Sequence, residues 1–221
     1  MTDKLVLGSI SPRRKELMVL GGWEFDIWPA HVDEDLLPEE EPRKYVLRMA
    51  GSKARTVAAQ VVNGSLVITA DTTVVDPQGK ILAKPQHEQE AIEMLERLRG
   101  RTHQVLTGIA VMRAPDGPIY QDVCVTDVRM RDYSTDEMMA YIASGDPFDK
   151  AGGYAIQHQE FHPVEEISGC YANVVGLPVC TLGHLLRRFG IETPAGVPKK
   201  CPSKNYTDCS ICEQLDHSGS L

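Results

Sequence analysis

Short apolar runs alternate with helix-like patterns from the start of this chain, and that alternation constrains the fold more than any other feature. The clearest run is Leu66–Ala70, and similar runs begin at Leu5 and Phe25. Between them lie segments whose apolar residues recur three and four positions apart. The longest is a predicted helix that runs to about Val62, with Glu39, Glu40 and Glu41 just before or within its first turn. This order is typical of an α/β protein in which helices cover both faces of a mixed sheet.

Local signals place several helix ends. Ser11 followed by Pro12 predicts the start of the first helix, because serine caps helices and proline fits their first position. The residues from 88 to 98 have the apolar spacing of a helix that packs one face inward. Ser134 and Glu137 form a capping box for a helix that ends near residue 144.

Two long strands are predicted in the middle of the chain, over 103–112 and 119–131. In the second, the alternation of apolar residues slips by one position, which predicts a bulge near Thr126 and Asp127. After the helix that begins at Ser134 and ends near residue 144, we expect a glycine-rich loop up to Gly176 and then a last helix over 178–190.

Composition limits the classes of partner. The chain has 221 residues, 42% of them hydrophobic, which suffices for a core. Its 23 basic and 31 acidic side chains give a net charge of −8, which disfavours broad nucleic-acid binding. No run approaches the roughly 20 apolar residues of a membrane helix, and no signal peptide is recognisable. We therefore expect a cytoplasmic protein with a small-molecule ligand and no nucleic-acid or membrane partner, and a homodimer is left open.

The six cysteines divide into two groups. Three lie in apolar sequence and are expected to be small buried side chains: Cys124, Cys170 and Cys180. The others lie near the end of the chain with a histidine: Cys201, Cys209, Cys212 and His217. These four could form a tetrahedral structural zinc site, belong to a flexible tail with free thiols, or bind an ion shared with a neighbouring chain. We accordingly divide the chain into a domain over 1–193 and a tail over 194–221, without regular structure after Pro194.

The segment between the first strand and helix has the composition of an anion site. It contains Ser9, Arg13 and Arg14 just before or within the predicted helix start. Backbone N–H groups, hydroxyls and guanidinium groups in such a place bind phosphate, although a solvated helix start has the same composition.

A carboxylate follows the clearest strand directly. Asp71 lies where the apolar run stops, and ligands of α/β sheets gather at the carboxyl ends of strands. The alternative is an aspartate that only caps a turn. Lys53, Lys84 and Lys150 could contribute positive charge, although any one such lysine is usually an ordinary surface charge. Gln157 follows a glycine pair and could bind the polar edge of a heterocycle.

These segments together resemble one enzyme family. The motifs are Ser9-Ile10-Ser11-Pro12-Arg13-Arg14, Asp33-Glu34, Ser52-Lys53-Ala54, Ala70-Asp71-Thr72, Lys84-Pro85, Thr107-Gly108, Asp149-Lys150-Ala151-Gly152-Gly153-Tyr154-Ala155-Ile156-Gln157 and Asn173-Val174-Val175-Gly176-Leu177-Pro178. In this order, over residues 5–190, the chain resembles the Maf family of nucleoside triphosphate pyrophosphatases.

The resemblance implies a reaction and a fold. Such enzymes hydrolyse a nucleoside triphosphate to its monophosphate and pyrophosphate with a divalent metal, Mg²⁺ or Mn²⁺. The implied fold is a long twisted mixed sheet flanked by helices, similar to that of the inosine triphosphate pyrophosphatases.

The resemblance also implies roles for individual residues. Asp71 matches the proton acceptor, and the other catalytic positions are Glu34, Lys53 and Lys84. Asp71 and Glu34 supply the oxygen ligands that a hard metal ion prefers. The substrate-binding positions are Ser9, Arg13, Arg14, Thr72, Asp149, Lys150 and Gln157.

Arg13, Thr72 and Gln157 match the branch of the family that acts on dTTP and UTP, which implies house-cleaning of nucleotide pools. Two other functions are weighed against this one: a nucleotide-binding regulator of cell division without turnover, and a nucleic-acid adaptor that uses the cysteine-containing tail. His158 departs from the family pattern, which commonly has glycine there, and a left-handed backbone would strain a histidine.

Overall fold

The computed structural model describes residues 3–193, which form seven strands and six α-helices. The strands are β1 Leu5–Leu7, β2 Asp26–Ile27, β3 Leu66–Val75, β4 Ile81–Leu82, β5 Thr102–Arg113, β6 Ile119–Met130 and β7 Val164–Ser168. The helices are α1 Pro12–Leu20, α2 Pro42–Ala58, α3 Glu88–Leu98, α4 Thr135–Ala143, α5 Tyr171–Val175 and α6 Val179–Arg187. Two short 3₁₀ helices span Asp146–Asp149 and Ala151–Gly153.

All seven strands belong to one mixed sheet, in the order β2-β1-β3-β5-β6-β7. β1 is parallel to β2 and β3, and the remaining pairs are antiparallel. β4 pairs with the far end of β3. The predicted α/β class and the mixed sheet are confirmed.

One edge of β3 is open over part of its length. β1 pairs only with Leu66–Ile68, and β4 pairs only with Val74 and Val75. Among the described residues, no strand therefore covers that edge of β3 between Thr69 and Thr73. This gap in the sheet brings its two faces into reach of the same cleft.

The helices cover both faces of the sheet, as expected. α2 packs on one face, where the backbone of Gly108 on β5 approaches it so closely that a Cβ atom would lie 2.4 Å from the carbonyl oxygen of Val46. The other five helices pack on the opposite face, in two apolar clusters. The sheet is therefore buried on both sides, with α2 held against β3 and β5.

Several elements match the sequence closely. α3 has the predicted bounds, and α1 begins at Pro12 after Ser11. The capping box is present, since the Ser134 hydroxyl accepts from the Glu137 N–H and the Glu137 carboxylate accepts from the Ser134 N–H. The three cysteines within the described part of the chain are buried as expected.

Other predictions are wrong. α2 ends at Ala58, one turn before the predicted end near Val62. Asp71 lies inside β3 and not at its end, because β3 continues in unbroken register along β5 as far as Val75. The expected loop before Gly176 contains β7 and α5.

The bulge expected near Thr126 and Asp127 is also absent, because the pairing of β5 with β6 is continuous. Val123 packs beneath α2 while Cys124 faces the helices on the other side, so both phases of the alternation are apolar. The irregularity lies instead at Arg129 and Met130, where β6 pairs with β7.

Within residues 3–193, no helix combines the length and apolarity needed to cross a bilayer. The predicted tail, 194–221, lies outside the described residues.

Candidate active site

A cleft of about 990 Å³ opens at the uncovered edge of β3. Its walls come from the loop over 8–14, the segment over 29–34 and the loops over 146–159. The predicted site residues that line it are Ser9, Arg13, Arg14, Glu34, Lys53, Thr72, Lys84, Asp149, Lys150 and Gln157. Ten of the eleven therefore share one cavity, and Asp71, which does not line it, contacts Lys53, which does.

Lys53 joins the two predicted catalytic carboxylates. Its Nζ lies 2.6 Å from Oδ1 of Asp71 and 2.6 Å from Oε1 of Glu34. Lys53 is 8% exposed and Asp71 is 7% exposed. The reading of Lys53 as a surface lysine is therefore wrong: α2 presents it to β3 as a buried cation.

The Asp71 carboxylate contacts Lys53 through one of its two oxygens. Alternate residues of a strand point to opposite faces, so Asp71 faces α2 while Thr72 faces the other helices. Oδ1 of Asp71 accepts from Lys53, and no hydrogen bond to Oδ2 is present within residues 3–193. That second oxygen is available to an incoming water or metal ion.

Glu34 is held at the mouth of the cleft by charge and by its backbone. Partial burial would raise the pKa of Glu34, but hydrogen bonding to Lys53 and the charges of Lys53, Lys84 and Arg14 outweigh it and lower the pKa. The Tyr45 hydroxyl on α2 donates to the Glu34 carbonyl over 3.1 Å. Burial and the nearby carboxylates of Asp71 and Glu34 raise the pKa of Tyr45 to about 12.

On the opposite face, Arg14 is fixed in place. Its Nε donates to the Gly176 carbonyl over 2.9 Å, its Nη2 to the Thr72 hydroxyl over 3.2 Å, and its Nη1 to the Ser9 hydroxyl over 3.5 Å. Burial lowers the pKa of Arg14, and the charge of Asp71 opposes that shift.

A buried hydroxyl chain supports Arg14 from below, and sequence reasoning missed it. The Thr107 hydroxyl donates to the Asn173 carbonyl over 3.1 Å and lies 2.9 Å from the Thr72 hydroxyl. Because Thr107 has already used its single proton, Thr72 donates to Thr107 and its oxygen accepts from Arg14. Thr107 lies in a quoted motif, but no charge or spacing marked it as part of the site.

Two cations remain uncommitted. Arg13 and Lys84 line the cleft, and neither side chain makes a hydrogen bond or ion pair within the described range 3–193. They are the groups best placed to pair with an anionic ligand.

Lys150, in contrast, is fully engaged. Its Nζ donates to the carbonyl and Oδ1 of Asp146, over 2.7 and 2.9 Å, and to the carboxylate of Asp149. These contacts use all three ammonium protons. Gln157 is exposed on the cleft wall, and its amide makes no hydrogen bond in the described part of the chain.

The backbone at His158 is not left-handed, so the strain considered at this position does not arise. The non-glycine residues with positive φ within 3–193 are Glu39 and His162. His158 accepts from the Phe161 N–H through Nδ1 over 3.0 Å.

The carboxylate oxygens of Asp71 and Glu34, which both contact Lys53, are the type of ligand that suits a hard divalent cation. Mg²⁺ is usually held by one or two carboxylates together with phosphate oxygens and water, and Asp71 and Glu34 converge on a single ammonium group. Residues 3–193 contain no cluster of three or more metal-ligating side chains of the histidine, cysteine, aspartate or glutamate type. The zinc site at Cys201, Cys209, Cys212 and His217 lies outside the described residues and stays a prediction.

Comparison with known proteins identifies the family. Residues 4–189 match the Maf-like protein family. The chain is 38% identical to the dTTP/UTP pyrophosphatase of Dehalococcoides mccartyi, over 95% of this chain and 91% of the relative. It is 44% identical to the enzyme of the same name from Geotalea uraniireducens, over 85% of this chain and 96% of the relative. It is also 44% identical to the one from Moorella thermoacetica, over 86% of this chain and 97% of the relative.

Solved structures are more distant. The Ham1 protein of Staphylococcus aureus is 11% identical with a TM-score of 0.44, over 74% of this chain and 81% of that one, which is too remote to bear on function. The match over residues 4–189 and the identity to relatives that are covered over 91% and 96% of their length are decisive: the chain belongs to the Maf family.

Proposed function

We propose that this chain hydrolyses dTTP and UTP to the monophosphate and pyrophosphate, as a house-cleaning enzyme of the cytoplasmic nucleotide pool. The observation that carries the proposal is the buried Asp71–Lys53 pair behind a cleft that presents free cations. Relatives that the chain matches over most of their length are dTTP/UTP pyrophosphatases. The absence of nucleic-acid and membrane partners stays a prediction, and a homodimer stays open.

We assign the triphosphate of the substrate to the part of the cleft that carries Arg13 and Lys84. The side chains of Arg13 and Lys84 make no hydrogen bond or ion pair within residues 3–193, so they can pair with phosphate oxygens without breaking an existing contact. Arg14 and Ser9 hold the loop at the N-terminus of α1, where backbone N–H groups also favour an anion. Phosphoryl transfer depends mainly on such positioning and charge neutralisation.

We assign Asp71 the role of accepting the proton of the attacking water. A water attacks the α-phosphorus, the bond from that phosphorus to the bridging oxygen breaks, and pyrophosphate leaves with the electron pair. The attacking water loses its proton to the carboxylate of Asp71, whose Oδ2 is free for this among the described residues. Lys53 holds the carboxylate in place, and Glu34 in turn holds Lys53.

Asp71 and Glu34 would hold the divalent cation of the family. When bound, that ion neutralises charge on the phosphate oxygens. Mg²⁺ suits these two oxygen ligands, and Mn²⁺ accepts the same type of donor.

The nucleobase is assigned to Gln157. Its amide offers two donors and one acceptor, which complement the imide edge of thymine or uracil. Ile156 and Val174 line the same cleft and offer apolar contact to the thymine methyl group. This accounts for one enzyme accepting both dTTP and UTP.

A panel of nucleoside triphosphates, assayed for pyrophosphate with Mg²⁺, tests the proposal. We expect kcat/KM to be highest for dTTP and UTP. Gln157→Ala should change base preference more than triphosphate affinity, and Gln159→Ala, an exposed neighbour on the same wall, is its matched control. Nucleotide binding without pyrophosphate release would favour the regulator of cell division instead.

A further inference from the structure

Two loops of the cleft wall are tied together from behind by one aromatic residue. The first is Asp146–Lys150, and the second is Tyr154–His158, here called the base segment because it carries Gln157. Tyr141 on α4 lies beneath both and is 2% exposed. It is not itself part of the cleft wall.

The Tyr141 hydroxyl makes one contact to each loop. It accepts from the backbone N–H of Ala155 over 3.0 Å and donates to Oδ2 of Asp146 over 2.9 Å. Burial and the Asp146 carboxylate both raise the pKa of Tyr141, so the hydroxyl keeps its proton in neutral solution. A single oxygen therefore fixes the distance between the two loops.

The Tyr141 ring is also held on both sides. It stacks on Phe161 with 4.4 Å between ring centroids and a 12° interplanar angle. It meets the ring of His158, at the end of the base segment, edge-on at 4.8 Å. These contacts leave the hydroxyl little freedom to move.

The contact at Asp146 continues to Lys150. Burial would raise the pKa of Asp146, but hydrogen bonds from Lys150 and Tyr141 outweigh it and lower the pKa. Asp146 therefore stays a carboxylate and accepts from both partners at once. The hydrogen bonds of this cluster account for the Tyr141 hydroxyl and for all three protons of Lys150.

We infer that Tyr141 is a positioning residue for nucleobase selectivity: its hydroxyl fixes Ala155 and thereby the orientation of Gln157, two residues further along the cleft wall. The inference rests on the proposed function, because it assumes that Gln157 contacts the base. Without the hydroxyl, the buried Ala155 N–H loses its acceptor, and the base segment moves to find another.

The test is Tyr141→Phe in the full chain, which removes the hydroxyl and keeps the ring contacts. Tyr133→Phe is the matched control: Tyr133 is 1% exposed and lies 4.8 Å from the same Phe161 ring, but its hydroxyl donates to the Leu95 carbonyl on α3. Asp146→Ala removes the carboxylate that accepts from the Tyr141 hydroxyl. Because the Asp146 side chain is partly exposed, this variant replaces Tyr141→Phe in the test if Tyr141→Phe does not fold.

We expect Tyr141→Phe to lower the preference for dTTP over dCTP by about tenfold, chiefly through KM, with kcat within about twofold of wild type. Tyr133→Phe should lower the unfolding temperature without changing the preference. Asp146→Ala should act in the same direction, and the double variant should be no worse than the more affected single one. An unchanged preference in Tyr141→Phe, or an equal change in Tyr133→Phe, would overturn the inference.

Hydrogen exchange separates this failure from failure of the proposed function. Protection of the Ala155 amide should fall in Tyr141→Phe and not in Tyr133→Phe, whether or not any triphosphate is cleaved. Unchanged protection would overturn the positioning role. A wild-type protein that cleaves no triphosphate would overturn the proposed function and with it the role in selectivity.

Discussion

Nζ of Lys53 lies 2.6 Å from Oδ1 of Asp71, and both side chains are buried between α2 and β3. Replacing a buried ion pair by apolar residues is often neutral or stabilising, so this one is poorly explained by stability alone. The pair lies beside the open edge of the sheet, where Glu34 contacts the same ammonium group and Oδ2 of Asp71 makes no hydrogen bond within residues 3–193. This placement supports the catalytic role proposed for Asp71.

Lys53→Met should lower kcat/KM at least about 100-fold, because Asp71 loses the cation that positions it. It should also destabilise the fold by about 3 kcal/mol, since a buried carboxylate is left without its partner. Steady-state kinetics and denaturant unfolding measure the two effects. Lys44→Met is the control, because Lys44 lies on the same helix in an exposed pair with Glu41. Wild-type kinetics in Lys53→Met would exclude Lys53 from the reaction.

Thr107→Val should raise KM for the triphosphate about fivefold with a small change in kcat, because Thr72 loses its acceptor and the support for Arg14 weakens. Thr107→Ser keeps the hydroxyl and should restore the wild-type KM. The penalty should not add to that of Thr72→Val, since both substitutions break one chain. Additive penalties would show that the two hydroxyls act separately.

The sequence predicted the parts of this fold that depend on local chemistry. α3 and the capping box at Ser134 follow from residue spacing alone, and the structure shows both. The extent of β3 did not follow, because Asp71 interrupts an apolar run and its partners, Lys53 and β5, are distant in sequence. β7 was missed because its exposed residues include Glu165 and Glu166, which break the apolar pattern.

The site was predictable as a set of residues but not as a geometry. The motifs identified the residues that line the cleft, including Arg13 and Lys84. No sequence pattern could show that Lys150 has no free ammonium proton, that Thr107 supports Arg14, or that Tyr141 links two loops. Each of these depends on which atoms meet after folding.

His103 should make stability depend on pH. Burial lowers the pKa of His103 from 6.5 to about 4, so between these values the unfolded chain binds a proton that the folded protein does not. The stabilisation is complete above about pH 6.5 and falls by about 3 kcal/mol as the pH drops to 4. Denaturant unfolding at several pH values should show this loss in wild type and in His184→Gln, an exposed control, but not in His103→Gln. Equal slopes in all three proteins would contradict the assignment.

The central claim is that Asp71 accepts the proton in hydrolysis of the α–β phosphoanhydride, and Asp71→Asn tests it most directly. Asp76→Asn is the matched control, because Asp76 is also buried and pairs with Arg97, at the turn that follows β3. Pyrophosphate released from dTTP and UTP is measured beside the unfolding midpoint of each protein. We predict that Asp71→Asn stays folded and loses at least about 10³-fold in kcat, while Asp76→Asn loses stability and keeps its turnover. A folded Asp71→Asn protein that retains more than about a tenth of wild-type turnover would contradict the account.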